Sequence, residues 1–232
     1  MNLKITPMRA EYLSLIAAML NGTIGVFTRF GLQAGLAPSV LAFYKCFIAF
    51  IIIAIYCLSK PKLRIECRTL SRYWHHYALL SFFGIFCLYF FETWAFSEAS
   101  IPLVVFLTYA AGAATILMAA LFLGERPTKF KVAAFITIMM GVYLIFLFEH
   151  GILGSMLGII LALLGGFGYA LFIFLGKLLN VGNGLAVLCW LFGFGSLYLL
   201  VSFLLDGFMM PSLTAMGAIM ALVLLPAIAG FS

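Results

Sequence analysis

Apolar residues in this chain come in eight long runs separated by short polar gaps. The runs are Tyr12 to Leu32, Ser39 to Leu58, Tyr77 to Phe96, Ile101 to Leu123, Val132 to Phe148, Gly154 to Leu175, Leu185 to Leu205, and Leu213 to the terminus. A hydrocarbon core about 30 Å thick needs about 20 apolar residues per helix, so each run predicts one membrane crossing. Strict apolar/polar alternation is absent, and backbone groups in lipid must be bonded internally, so helices rather than a β-barrel are expected. The expected fold class is all-α, a polytopic bundle of transmembrane helices.

The gaps differ in charge. Of the thirteen Lys and Arg residues, Lys4 and Arg9 precede the first run. Lys60, Lys62, Arg64, Arg68 and Arg72 lie between the second and third, Arg126, Lys129 and Lys131 between the fourth and fifth, and Lys177 follows the sixth. The alternate gaps carry only Glu98, Glu149 and Asp206. Because basic residues are retained on the cytoplasmic side, the pattern predicts a cell or inner membrane protein with its N-terminus in the cytoplasm. Arg29 and Lys45 break the pattern by lying inside runs.

Composition agrees: 66% of residues are apolar, 9% are charged, and the mean hydropathy is +1.23. No water-facing surface can be built from such a chain, so the lipid bilayer is its first partner. The net charge of +6 is spread over alternate loops rather than gathered on one face, which argues against a nucleic-acid partner. The first run is too long for a secretory signal and lacks a small-residue cleavage site, so it is expected to remain in the mature protein.

Cysteine and histidine add little at this level. Cys46, Cys57, Cys87 and Cys189 fall in runs and Cys67 in a gap, with no C-x-x-C pair, so structural thiols are expected rather than disulfides or metal ligands. His75 and His76, beside Tyr73, Trp74 and Tyr77, read as an interfacial anchor. The sequon Asn21-Gly22-Thr23 lies mid-span, beyond reach of glycosyl transfer. No metal, cofactor or catalytic residue is expected.

Sliding the chain on itself by about 144 residues lays Leu20-Asn21-Gly22 over Leu164-Gly165-Gly166 and aligns the starts of the first and sixth runs. A repeat of five spans is odd, so the second copy must enter the membrane inverted. This divides the chain into a first five-helix repeat, residues 1–150, and an incomplete second repeat, residues 151–232. The second copy runs out at Ser232, opposite Leu88, which predicts a fragment short of about 60 residues if the repeat were completed.

Three stretches resemble the EamA family of the drug/metabolite transporter superfamily. These are Asn21-Gly22-Thr23-Ile24-Gly25 in the first span, Ala42 to Ala49 around Lys45 in the second, and Leu123-Gly124-Glu125-Arg126 closing the fourth, followed by Gly141 in the fifth. The resemblance implies a ten-span (5+5) inverted-repeat architecture and export of small metabolites, amino acids or drugs. It also implies structural or gating roles for Gly22, Gly25, Gly112 and Glu125. Three positions depart from the family pattern: Asn21 stands where Trp is usual, Lys45 where Arg is usual, and Gly112 where Pro is frequent. Lys in place of Arg gives up the planar fork for a point charge. Glu125 reads either as a solvated turn acid or as a gate contact.

A charge at a helix centre costs roughly 2.5 to 3.5 kcal/mol on insertion scales, so Arg29, Lys45 and Glu92 are the candidates for function. At 1.5 Å per residue all three lie roughly 6 to 9 Å inside the outer boundary, in one layer. Two cations against one anion would suit a ligand carrying carboxylate or phosphate. Two readings stay open: Glu92 locks the second and third spans by pairing with Lys45 while Arg29 snorkels to the headgroups, or the layer handles substrate or protons. Tyr44, Tyr89, Trp94 and Tyr109 offer aromatic faces and hydroxyls nearby. Gly31-x-x-x-Gly35 and Ala110 to Ala114 permit close helix approach.

The expected function is secondary transport by alternating access, with a small-molecule substrate and a proton or counter-solute as partner. No P-loop occurs, so ATP hydrolysis is not expected. A non-transporting helper subunit and, behind it, an intramembrane enzyme are the alternatives; the latter lacks paired acids or a Ser/His pair at membrane depth.

Overall fold

The computed structural model describes residues 12, 15, 16, 19–124, 128–148 and 154–229. Every described apolar run is helical. Numbered in chain order, the helices are α1 (Ile24–Gln33), α2 (Pro38–Ser59), α3 (Pro61–Leu70), α4 (Trp74–Ser81), α5 (Leu88–Glu98), α6 (Ile101–Phe122), α7 (Lys129–Phe148), α8 (Met156–Leu178), α9 (Leu185–Asp206) and α10 (Leu213–Leu222). Among the described residues the one β contact is an isolated bridge between Ala99 and Gly154. Five stretches are long and apolar enough to cross a membrane: Pro38–Ser59, Pro61–Glu98, Ile101–Phe122, Met156–Leu178 and Leu185–Asp206. The chain is an all-α polytopic membrane protein.

Local chemistry sets the helix ends. Prolines at the first turn open α2, α3 and α6, where the missing N–H costs nothing. Ser155 and Ser212 cap α8 and α10 by accepting from the N–H of Gly158 (3.0 Å) and Ala215 (3.2 Å). At the end of α1 the N–H of Leu36 donates to Gly31 O and that of Gly35 to Leu32 O, with Gly35 at φ +90°. At the end of α8 the N–H of Val181 donates to Gly176 O and that of Asn180 to Lys177 O, with Asn180 at φ 49°. Both ends are Schellman motifs, 145 residues apart. Gly35 is therefore a turn residue and not half of a packing motif; Gly31 alone makes the close approach, against Leu41.

Three helices are interrupted. The first run is not one helix: the N–H of Thr23 bonds Leu20 O, three residues back, and its hydroxyl bonds the same carbonyl at 2.7 Å. Between α4 and α5 lies a π-helical segment, Phe82–Cys87, and α10 continues into a second, Val223–Ala229, which contains Pro226. Such wide turns inside α-helices recur at functional sites. The basic gap between the second and third spans is also folded, as the exposed helix α3.

The centre of the bundle is the pair α2 and α9, packed through Leu41, Ala42, Cys46, Ala49, Phe192 and Leu199. Beside it α8 packs on α5 and α6, where a Cβ on Gly158 would meet Ala99 at 2.9 Å and one on Gly168 would meet Cys87 at 2.7 Å. Large apolar side chains such as Leu117, Leu121, Phe122, Ile136 and Leu205 face outward, as a lipid-facing rim requires.

Polar contacts sort the gaps onto two faces. On one, the Ser39 hydroxyl donates to the Asp206 carboxylate and the Ser155 hydroxyl to Glu98 Oε2 at 2.9 Å. On the other, Trp190 Nε1 donates to Cys67 O at 3.1 Å. Gaps that the alternating charge pattern assigns to the same side meet one another.

Candidate functional site

Two of the interruptions, the break in the first span and the π-helical extension of α10, border a cavity of about 340 Å³. Asn21, Gly22 and Gly25 border it from the broken first span, Lys45 from α2, Tyr89 and Glu92 from α5, Thr108 and Tyr109 from α6, Tyr169 from α8, and Leu222 and Pro226 from α10 and its π-helical extension. The volume suits a small molecule, and the wall is mostly apolar with a few polar groups.

Lys45 is buried at 4% exposure, and its Nζ donates to Thr93 Oγ1 at 3.0 Å while lying 4.1 Å from the centre of the Tyr89 ring. An ammonium taken out of water needs such partners, and the hydroxyl and the ring quadrupole supply them. Glu92 makes no hydrogen bond or ion pair among the described residues. Its carboxylate borders the cavity beside Gly165, whose missing side chain lets α8 approach the Glu92 backbone. The hydrogen bond that ties the second span to the third thus runs from Lys45 to Thr93, while Glu92 acts on Lys45 through charge alone. Thr108 Oγ1 is buried, borders the same cavity and has no hydrogen-bond partner. An unpaired buried hydroxyl is costly unless a ligand or water meets it.

Of the residues singled out above, the cavity gathers Gly22, Gly25, Lys45, Tyr89, Glu92 and Tyr109. It leaves out Arg29, Tyr44 and Trp94. Arg29 Nη1 donates to Phe96 O (3.1 Å) and Ala99 O (3.0 Å), closing the C-terminus of α5 where carbonyls lack helical partners. Arg29 does not border the cavity, so the expected surplus of positive charge is absent there. Tyr44 packs on Phe43 and Phe203 and its hydroxyl donates to Met209 O at 3.3 Å. Trp94 packs edge-on against Phe90 with a third of its surface exposed. Gly112 is half-buried and faces Phe135 of α7. Glu125 lies outside the described residues.

Tyr169 and Thr108 were not anticipated. Tyr169 borders a second cavity too, of about 420 Å³, lined by Gly84, Phe172, Lys177 and Asn183 among others. It therefore stands between two spaces. Its signal in the sequence is a lone Tyr in the glycine-rich stretch Gly165-Gly166-Phe167-Gly168-Tyr169. Asn21, read above as a sequon too deep for use and as a departure from the family pattern, lines the cavity at the break in the first span. Cys57, Cys67 and Cys189, far apart in the sequence, converge with their sulfurs within 4.8 Å of one another.

No curated protein and no solved structure matches the chain. The family description EamA-like transporter family matches residues 8–147, which takes in the broken first span, Lys45, Glu92 and Tyr109. On that match the chain belongs to the EamA-like transporter family, within the drug/metabolite transporter superfamily, and is a membrane transporter by type.

Proposed function

We propose that this protein is a secondary transporter that exports small amphipathic metabolites, amino acids foremost, across the cytoplasmic membrane by alternating access. The observation that carries this reading is the central cavity, in which a hydrogen-bonded cation and a carboxylate without a hydrogen bond among the described residues stand together. With Arg29 engaged elsewhere, Lys45 and Glu92 leave the cavity balanced, which favours a zwitterion over an anion. Glu92 offers its carboxylate to a substrate amine or to a proton, and Thr108 and Tyr109 offer hydroxyls.

Two cavities meeting at Tyr169 fit a path opened from one side at a time. Paired Schellman ends at Gly35 and Asn180, and paired π-helical segments at 82–87 and 223–229, support two repeats, residues 1–150 and 151–232. Their inverted insertion, with the N-terminus in the cytoplasm, rests on the charge pattern of the gaps. The reading makes the protein a carrier and not an enzyme, driven by a proton or a counter-solute.

Counterflow in proteoliposomes tests it. Vesicles loaded with unlabelled amino acids should accumulate labelled amino acid saturably with the wild type, and Glu92→Gln should remove the pH dependence. Absence of saturable uptake would favour the helper-subunit alternative, and uptake by Glu92→Gln with unaltered pH dependence would remove Glu92 from coupling.

A further inference from the structure

Three cysteines far apart in sequence meet at the face of the bundle opposite Asp206. Cys57 lies in the last turn of α2, Cys67 in α3, and Cys189 in the second turn of α9, with all three Sγ atoms within 4.8 Å of one another. Their meeting is held by other groups. Arg64 donates from Nε (3.2 Å) and Nη2 (2.9 Å) to Leu58 O, folding α3 back beneath the end of α2. Trp190 Nε1 bonds Cys67 O at 3.1 Å and ties α3 to α9, and the Cys57 thiol donates to Leu185 O at 3.6 Å. Cys57 is buried and the other two are half-buried. Cys67 and Cys189 border a groove of about 570 Å³ walled by Phe50, Trp190 and Phe194, which gives the cluster an approach from outside.

We propose that Cys57, Cys67 and Cys189 form a binding site for a thiophilic d¹⁰ cation, with trigonal Cu(I) as the ion the geometry fits. The three thiols are free, and no histidine or carboxylate joins the group among the described residues. An all-sulfur set selects soft ions such as Cu(I) over hard ones. Zn²⁺ in structural sites takes four ligands, and three sulfurs leave it one short. Metal–sulfur bonds of about 2.3 Å place the sulfurs of a trigonal site roughly 4.0 Å apart, so the cluster must close by less than about 1 Å. Binding forms three metal–sulfur bonds and breaks three S–H bonds, releasing the protons to solvent. The bound ion joins α3 to α2 and α9, the central pair of the bundle, and so couples metal status to the packing of both.

The test uses the reduced, purified full chain in detergent, titrated without oxygen with Cu(I) supplied as its bicinchoninate complex, and in parallel with Zn(II). The expected result is withdrawal of one Cu(I) per chain from the chelator, undisturbed by Zn(II). Bound Cu(I) should shield Cys67 and Cys189 from maleimide in peptide mapping, while Cys46 and Cys87 label as before. Cys67→Ser, on the peripheral helix, should weaken Cu(I) binding at least tenfold or so. The mapping arm needs no variant and stands if Cys67→Ser fails to fold. No uptake by the wild type, undiminished uptake by a folded Cys67→Ser, or absence of shielding would overturn the site. Displacement of Cu(I) by Zn(II) would overturn its trigonal Cu(I) character.

Discussion

The ammonium of Lys45 on α2 lies 3.0 Å from the hydroxyl of Thr93 on α5, one residue beyond Glu92 in the sequence. Thr93 is fully buried, and its hydroxyl is the one bonded to Lys45 among the described residues. Thr93→Val keeps the shape and removes the acceptor. It should lower stability by about 1.5 to 3 kcal/mol, the range for hydrogen bonds to charged groups, measured by thermal unfolding in detergent. A change below about 0.5 kcal/mol would show that Lys45 finds an equal partner elsewhere, Glu92 being nearest at hand.

Arg29 closes the end of α5 and takes no part in the cavity. Arg29→Leu should cost about 1 to 3 kcal/mol by leaving the Phe96 and Ala99 carbonyls without that donor. Transport per folded molecule should stay near the wild-type value. Selective loss of transport at normal stability would place Arg29 back in the substrate path.

Gly22 and Gly25 should answer oppositely to the same change. A Cβ on Gly25 would meet Ile101 Cγ2 at 2.6 Å and Phe96 Cε1 at 3.3 Å, so Gly25→Ala should destabilise by about 1 to 3 kcal/mol. A Cβ on Gly22 meets nothing within 4 Å, so Gly22→Ala should fold as the wild type and act only by narrowing the cavity. Unfolding midpoints together with KM for the transported solute separate the two effects.

Tyr169 divides the two cavities with its ring, which stacks on Phe172 at 6.2 Å between centroids. Tyr169→Phe should retain counterflow, whereas Tyr169→Ala should join the spaces and raise downhill leak of solute in the absence of exchange. Equal leak from both variants would place the barrier elsewhere.

The spans were legible because each is a run of about 20 apolar residues, and hydrocarbon thickness leaves little choice of structure. Lys45 and Glu92 were legible because charge at that depth has to be justified. Arg29 carried the same signal and meant something else, since the carbonyls it bonds belong to Phe96 and Ala99, whose free lone pairs depend on where α5 ends. The break at Thr23 and the segment at 82–87 leave hydropathy unchanged, so an uninterrupted span was the natural reading of each run. Convergence of Cys57, Cys67 and Cys189 depends on α3 folding back through Arg64, a tertiary event with no spacing signature. Thr108 looked like any other polar residue in a long apolar helix until its neighbours were known.

The π-helical segment at Phe82–Cys87 sets the angular phase between the two parts of the third span. It accommodates one residue more than regular α-helix would over the same length, and α5 begins where that surplus has been absorbed. Winding the same residues as continuous α-helix, without the wide turn, would turn everything on one side by about 100° against the other. Tyr89 and Glu92 would then swing off the cavity wall while Lys45, on α2, stayed in place. The facing of the two charges is in this sense a matter of counting, and the wide turn that takes up one surplus residue holds it.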